Sequence, residues 1–279
     1  MTPARLFSLG VVAATLTVSA GFSQETPEAA SESPASAPRT FLIGNSLTWD
    51  TLPSRLEGAS DGRVQWHVYC GKNLPFIHDN PAGHCVESST PWPKALADGE
   101  YDFVSIQPHL GSKLEEDVAI ITEWAAQQPD AVLVIHTAWR HLDQFAAAYE
   151  ANESDGPMEP SPAYFEALLA GLRKELPGRE IRTTNCYRLL YALHEDIEAG
   201  VGPFTALADV GRDAIHMNAG PGRYLMHNAM RQALGQPPTG QGFDLTPEVR
   251  TYLDEKLAAH GWHPPKESGE KGAAKREPK

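Results

Sequence analysis

The chain has 279 residues and a formal net charge of −13. That length holds one large domain or two small ones. The acidic balance, with no basic stripe against it, excludes nucleic acid as a natural partner, because a phosphate backbone is bound by cationic surface.

Residues 1–20 read as a secretory signal. Arg5 precedes an apolar run from Leu6 to Val18, and Val18-Ser19-Ala20 is a small-residue cleavage site. The run is broken by Gly10, Thr15 and Thr17. It falls short of the ~20 residues a membrane span needs. The expectation is export to the periplasm or beyond, with no stable membrane span after cleavage. Residues 21–38 are rich in Ser, Ala, Pro and Glu and read as a flexible linker. Residues 263–279 form a charged tail without core formers. This leaves 39–262 as a single α/β domain.

Phe41-Leu42-Ile43 is a bulky apolar run, as in a buried strand, and Gly44-Asn45 breaks it ahead of Ser46. A serine at such a turn is more often a turn former or helix cap than a nucleophile. A short helix is expected over 52–59. The alternating stretch 63–69 predicts a second strand ending at Cys70-Gly71. Turn residues crowd 72–93 and predict a long loop carrying His78 and His84. A third strand over 101–107 ends in Gln107. A helix follows over 114–128. The unbroken apolar run 131–137 predicts a central strand, with Trp139 and Arg140 just beyond it. Residues 142–151 read as helical, and Ser161-Pro162 caps a helix reaching about Leu176. A fifth strand over 180–184 and helices over 187–198, 220–234 and 246–260 complete the chain. Strands alternating with helices imply a parallel sheet covered on both faces.

Near the far end, Asp213-Ala214-Ile215-His216 places a carboxylate three residues before a histidine. On a turn that spacing lets the carboxylate reach the imidazole. Such a pair can activate a serine hydroxyl, the carboxylate holding the base in its tautomer. Ligands of open α/β sheets bind beyond the carboxyl ends of the strands. Ser46, Gly71 and Gln107 follow or end the first three strands. The backbone N–H groups of Ser46 and Gly71 and the Gln107 amide are candidate oxyanion donors.

Gly44-Asn45-Ser46-Leu47 resembles the Gly-Asp-Ser-Leu block of the SGNH hydrolases, the GDSL-like lipases and esterases, with Asn in place of Asp. Asp213-Ala214-Ile215-His216 resembles the last block of that family, Asp-x-x-His. Gly71 is the best match to the oxyanion glycine of its second block. The Gly-x-Asn-Asp third block is absent. Ser105-Ile106-Gln107-Pro108 stands there, and Gln107 looks like the Gln variant of some bacterial branches. The resemblance runs in block order over residues 40–225. It implies a flavodoxin-like three-layer α/β/α sandwich with a mainly parallel five-stranded sheet. It also implies ester hydrolysis by Ser46, His216 and Asp213 without metal or cofactor. The substrate expected is a small, acetyl-like ester of a small molecule or a glycan. Leu47-Thr48 after the serine separates the chain from the Gly-x-Ser-x-Gly elbow of the α/β-hydrolases.

A rival reading keeps the fold but makes the protein a carbohydrate-binding or scaffold module with a decayed site. His78 and Trp139 are candidate substrate contacts. The eleven histidines pair on paper as His78/His84, His136/His141 and His67/His109, yet none has the spacing of a metal motif. Of three cysteines, Cys70 and Cys85 either close a loop or remain thiols along with Cys186. No sequence feature speaks to oligomeric state.

Overall fold

The computed structural model describes residues 37–154 and 156–264. The expected signal, most of the linker and most of the tail lie outside the described residues. Five strands form one parallel sheet: β1 Thr40–Gly44, β2 Val64–Val68, β3 Phe103–Ile106, β4 Val132–Ile135 and β5 Ile181–Thr183. Their order is β2-β1-β3-β4-β5. This is the flavodoxin-like order, with helices on both faces, and its switch point lies between β1 and β3. All five residues of β1 are buried, as a central strand covered on both sides requires.

Nine helices are described: α1 Ser46–Asp50, α2 Leu74–Asp79, α3 Trp92–Asp98, α4 Leu114–Ala126, α5 Leu142–Ala151, α6 Pro162–Glu175, α7 Cys186–Glu198, α8 Pro221–Ala233 and α9 Pro247–His260. Alternate strand residues face opposite layers. Phe41, Ile43, Leu133 and Ile135 join one core with Ile121 and Trp124 of α4 and Leu168 of α6. Leu42 and Val134 join the other, against Met230, Ala233 and Leu234 at the end of α8.

Two expectations are corrected. The helix expected over 52–59 begins six residues earlier, at Ser46, because the Asn45 side chain accepts from Leu47 N–H and caps it. Leu52 then takes a left-handed backbone (φ +53°), and only a 3₁₀ turn, Pro53–Arg55, follows. The expected loop 72–93 holds α2 and the first turn of α3. Asn73 caps α2 by accepting from Phe76 N–H, and Pro75 sits in the first turn. Pro91 stands at the N-cap of α3 and Pro93 in its first turn, with no side-chain cap. The residues that look like loop formers are helix starters, where a missing N–H costs nothing.

Cys70 and Cys85 form a disulfide, closing a loop of sequence separation 15, whereas Cys186 is free and buried. Burial pushes the Cys186 thiol up to about 12, leaving it inert. A loop of this length constrains the unfolded chain by about 3 kcal/mol. Cys85→Ser is therefore expected to lower unfolding stability by about 2–3 kcal/mol in urea titrations, matching the wild type under reductant. An unchanged midpoint would contradict this.

Asp117 on α4 is fully buried. It accepts from Ser112 Oγ and from Tyr164 Oη of α6, and its Oδ1 has no partner among the described residues. Burial pushes its carboxyl up to about 7 despite both hydroxyls. The folded state thus binds the proton more tightly than the unfolded chain. Stability should fall as pH rises from about 4 to about 7. Asp117→Asn keeps the hydroxyl acceptor and should flatten that slope, read as Tm against pH.

Candidate active site

Ser46 opens α1 directly beyond β1, at the switch point of the sheet. Its turn is held by a buried amide network. Gln107, just beyond β3, is fully buried. Its Oε1 accepts from Asn45 N–H (3.1 Å), Thr48 N–H (2.9 Å) and Thr48 Oγ1 (2.6 Å). Its Nε2 donates to Asn45 Oδ1 at 2.9 Å. Asn45 in turn accepts from Leu47 N–H (2.9 Å) and donates through Nδ2 to the Lys72 carbonyl (3.2 Å). The turn is tight enough to need Gly44. A Cβ there would collide with Thr48 Oγ1 and stand 2.7 Å from Gln107 Oε1.

This geometry corrects the role expected of Gln107. Three donors converge on its oxygen, so the amide cannot turn over without placing NH₂ against N–H. Its nitrogen is bound to Asn45 and buried. Gln107 shapes the Ser46 turn instead. Ser46 N–H is left as the first-turn amide of α1 without a partner among the described residues. Gly71 occupies an exposed left-handed turn (φ +68°) with open space where a Cβ would be.

His216 arrives from the opposite end of the chain. The segment 211–217 is a tight loop closed by a Gly211–Met217 bridge and by Arg212 N–H on the His216 carbonyl (2.7 Å). Asp213 Oδ1 accepts from Ile215 N–H (3.0 Å) and His216 N–H (2.8 Å). That local turn brings both carboxylate oxygens within 2.9 Å of His216 Nδ1. The His216 N–H, then the Ile215 N–H and the imidazole, hold the Asp213 carboxyl well below the usual range. His216 Nε2 lies 2.8 Å from Ser46 Oγ, across 170 positions of sequence.

The histidine loop is clamped to α1 and to the loop after β4. Asp50, the last residue of α1, is buried at 1% exposure. It accepts from Met217 N–H (2.8 Å) and from Arg223 Nε (3.0 Å) and Nη2 (2.9 Å). Burial raises its carboxyl above the ordinary value, against the Met217 N–H and the Arg223 guanidinium. Trp139 Nε1 donates to the Ile215 carbonyl at 2.6 Å, and Leu142 N–H donates to the Ala214 carbonyl at 2.8 Å.

Of the two expected substrate contacts, Trp139 is corrected here. Trp139 is 1% exposed, with its polar tip engaged behind the histidine loop, so it positions that loop. His78 makes its contacts with α3, α4 and its own neighbour on α2. Its ring stacks on Trp92 with centroids 5.4 Å apart, and its nitrogens meet Asp79 (3.3 Å) and Glu123 (3.1 Å). Burial opposes its charge, but hydrogen bonds to Glu123 and Asp79 prevail and raise its pKa.

Sequence reading missed Asn45, Asp50 and Arg223 as positioning residues. Asp50 and Arg223 resemble ordinary helix charges. Their only sequence signal is proximity to Ser46 and His216, four and seven positions on. His67 and His136 use both ring nitrogens inside the fold. His67 meets the Gly83 carbonyl and Trp92 N–H, and His136 meets Thr184 Oγ1 and the Leu47 carbonyl. No cluster of three or more metal-ligating side chains occurs among the described residues.

A hydroxyl on an imidazole, whose other nitrogen meets a carboxylate, is an arrangement in which the imidazole can take the hydroxyl proton. No protein-family model matches the chain, and no curated protein matches its sequence. Among solved structures it is similar to a DUF4886 family protein from Bacteroides uniformis ATCC 8492. The two share 17% identity over 80% of this chain and 93% of that one, at TM-score 0.47. It is also similar to a candidate GDSL-like lipase from Parabacteroides merdae ATCC 43184. There the identity is 15% over 71% of this chain and 96% of that one, at TM-score 0.45.

Proposed function

We propose that this protein is an exported serine esterase that hydrolyses a small, acetyl-like acyl ester of a small molecule or glycan. The observation that carries the reading is the unbroken Ser46–His216–Asp213 chain, with contacts of 2.8 and 2.9 Å assembled from opposite ends of the sequence. His216 Nε2 takes the hydroxyl proton as Ser46 Oγ attacks the ester carbonyl. Asp213 stabilises the imidazolium that forms. Ser46 N–H and Gly71 N–H receive the oxyanion, each such donor being worth ~10²–10³ in rate. The imidazolium gives its proton to the leaving alcohol. Water, deprotonated by His216, then attacks the acyl-enzyme and releases the acid.

Export accords with the signal-like residues 1–20 and with the Cys70–Cys85 disulfide, which persists in oxidising compartments. No described helix is long and apolar enough to cross a membrane. The preference for a small acyl group rests on the lack of an extended apolar stretch that would form a lid over a long chain.

The test is fluorophosphonate labelling of the purified protein, with the adduct mapped by mass spectrometry. A phosphonylated Ser46 peptide, and hydrolysis of p-nitrophenyl acetate in preference to longer acyl esters, are expected. A folded protein that neither labels nor hydrolyses any ester would refute the reading.

A further inference from the structure

Away from the Ser46 crevice, the segment 50–57 lies along α8, and α8 meets it with Arg223, His227 and Arg231 at successive four-residue steps. Arg223 pairs with Asp50. His227 Nδ1 meets the Thr51 carbonyl at 2.7 Å, and burial lowers its pKa to about 4, so the ring is neutral. Arg231 has no such explanation. It is only 8% exposed, and its Nε donates to the Pro237 carbonyl at 2.7 Å. Its Nη nitrogens have no hydrogen-bond partner among the described residues, and no carboxylate there forms an ion pair with it.

Arg231 lines a cavity of about 500 Å³, together with Arg55, Glu57, His227, Thr239 and Gln241. Arg55 is held at its rim, Nη1 donating to the Gly242 carbonyl (3.1 Å) and the guanidinium lying 5.6 Å from the Phe243 ring centre. Two guanidinium groups face one carboxylate here, in a chain whose net charge is −13. Glu57 attracts the Arg231 guanidinium without closing to an ion pair, so the two arginines together keep an excess of positive charge at the cavity. The planar fork of arginine fits the paired oxygens of phosphate or carboxylate. The space exceeds that of a bare anion and suits a small molecule carrying one.

We propose that this cavity is a binding site for a small molecule bearing an oxyanion, a phosphate or a carboxylate, held between Arg231 and Arg55. The site is separate from the Ser46 crevice and does not rest on the esterase reading.

The experiment is thermal unfolding of the full chain in sodium phosphate or sodium succinate, from about 0.1 to about 20 mM, against sodium chloride at equal ionic strength. A saturable rise in Tm with at least one anion is expected, and which anion acts identifies the group recognised. Ser46→Ala should keep the rise in full, separating this site from the crevice. Arg231→Met should abolish it. Arg55→Ala, an exposed position where folding is safe, should weaken apparent affinity ~10-fold, as expected for a lost charged hydrogen bond. No saturable rise with either anion would overturn the proposal. So would a rise that both arginine variants retain.

Discussion

Ser46→Ala is expected to eliminate fluorophosphonate labelling and to lower kcat for ester hydrolysis by ~10⁴–10⁶, with His216→Ala losing a similar factor. The two losses should not add, because hydroxyl and imidazole act as one unit across a 2.8 Å contact. Asp213→Asn should cost ~10⁴ by favouring the wrong imidazole tautomer. Neither Ser46→Ala nor His216→Ala should shift Tm appreciably, since both side chains are partly exposed. Because its hydrogen bonds depress the Asp213 pKa, this carboxylate stays charged through mildly acidic pH. Its contribution to stability is present above the ordinary carboxylate range and is lost as pH falls below it. Full hydrolytic rate in Ser46→Ala would remove the triad assignment altogether.

Arg223→Met carries the second large effect. It leaves Asp50 buried at 1% exposure beside the Met217 N–H but without its cation. Breaking a buried pair from one side typically costs 3–5 kcal/mol. The same change loosens the anchor that ties the histidine loop to α1, so kcat should fall while KM moves little. Asp50→Asn/Arg223→Met should recover part of the stability, since an amide oxygen can still accept from Met217 N–H while no bare charge remains buried. Chemical denaturation and steady-state kinetics on the two variants check both halves. A single mutant with wild-type Tm and kcat would show that the clamp has no positioning role.

Several parts of this protein were legible in its residues. The first and fourth strands are apolar runs of the right length, the second shows alternation, and strands alternating with helices dictated a covered parallel sheet. Asp213 and His216 could be paired on paper because their link is local, a three-residue turn closed by backbone N–H groups on the carboxylate. Ser46 could be placed beyond the first strand by Gly44-Asn45. The 72–93 stretch misled because proline and asparagine start helices as readily as they build loops, and only the backbone that follows decides which.

By itself, then, the sequence determined the alternating α/β architecture, the place of Ser46 at a strand end and the local Asp213–His216 turn, all of which arise from short-range pattern and spacing. The tertiary structure alone decided the contact of His216 with Ser46, the disulfide partner of Cys70, and the duties of Gln107, Trp139, Asp50 and Arg223. Each of these depends on which groups meet after distant segments pack. An amide or a charge takes its role from the donors and acceptors that burial leaves around it.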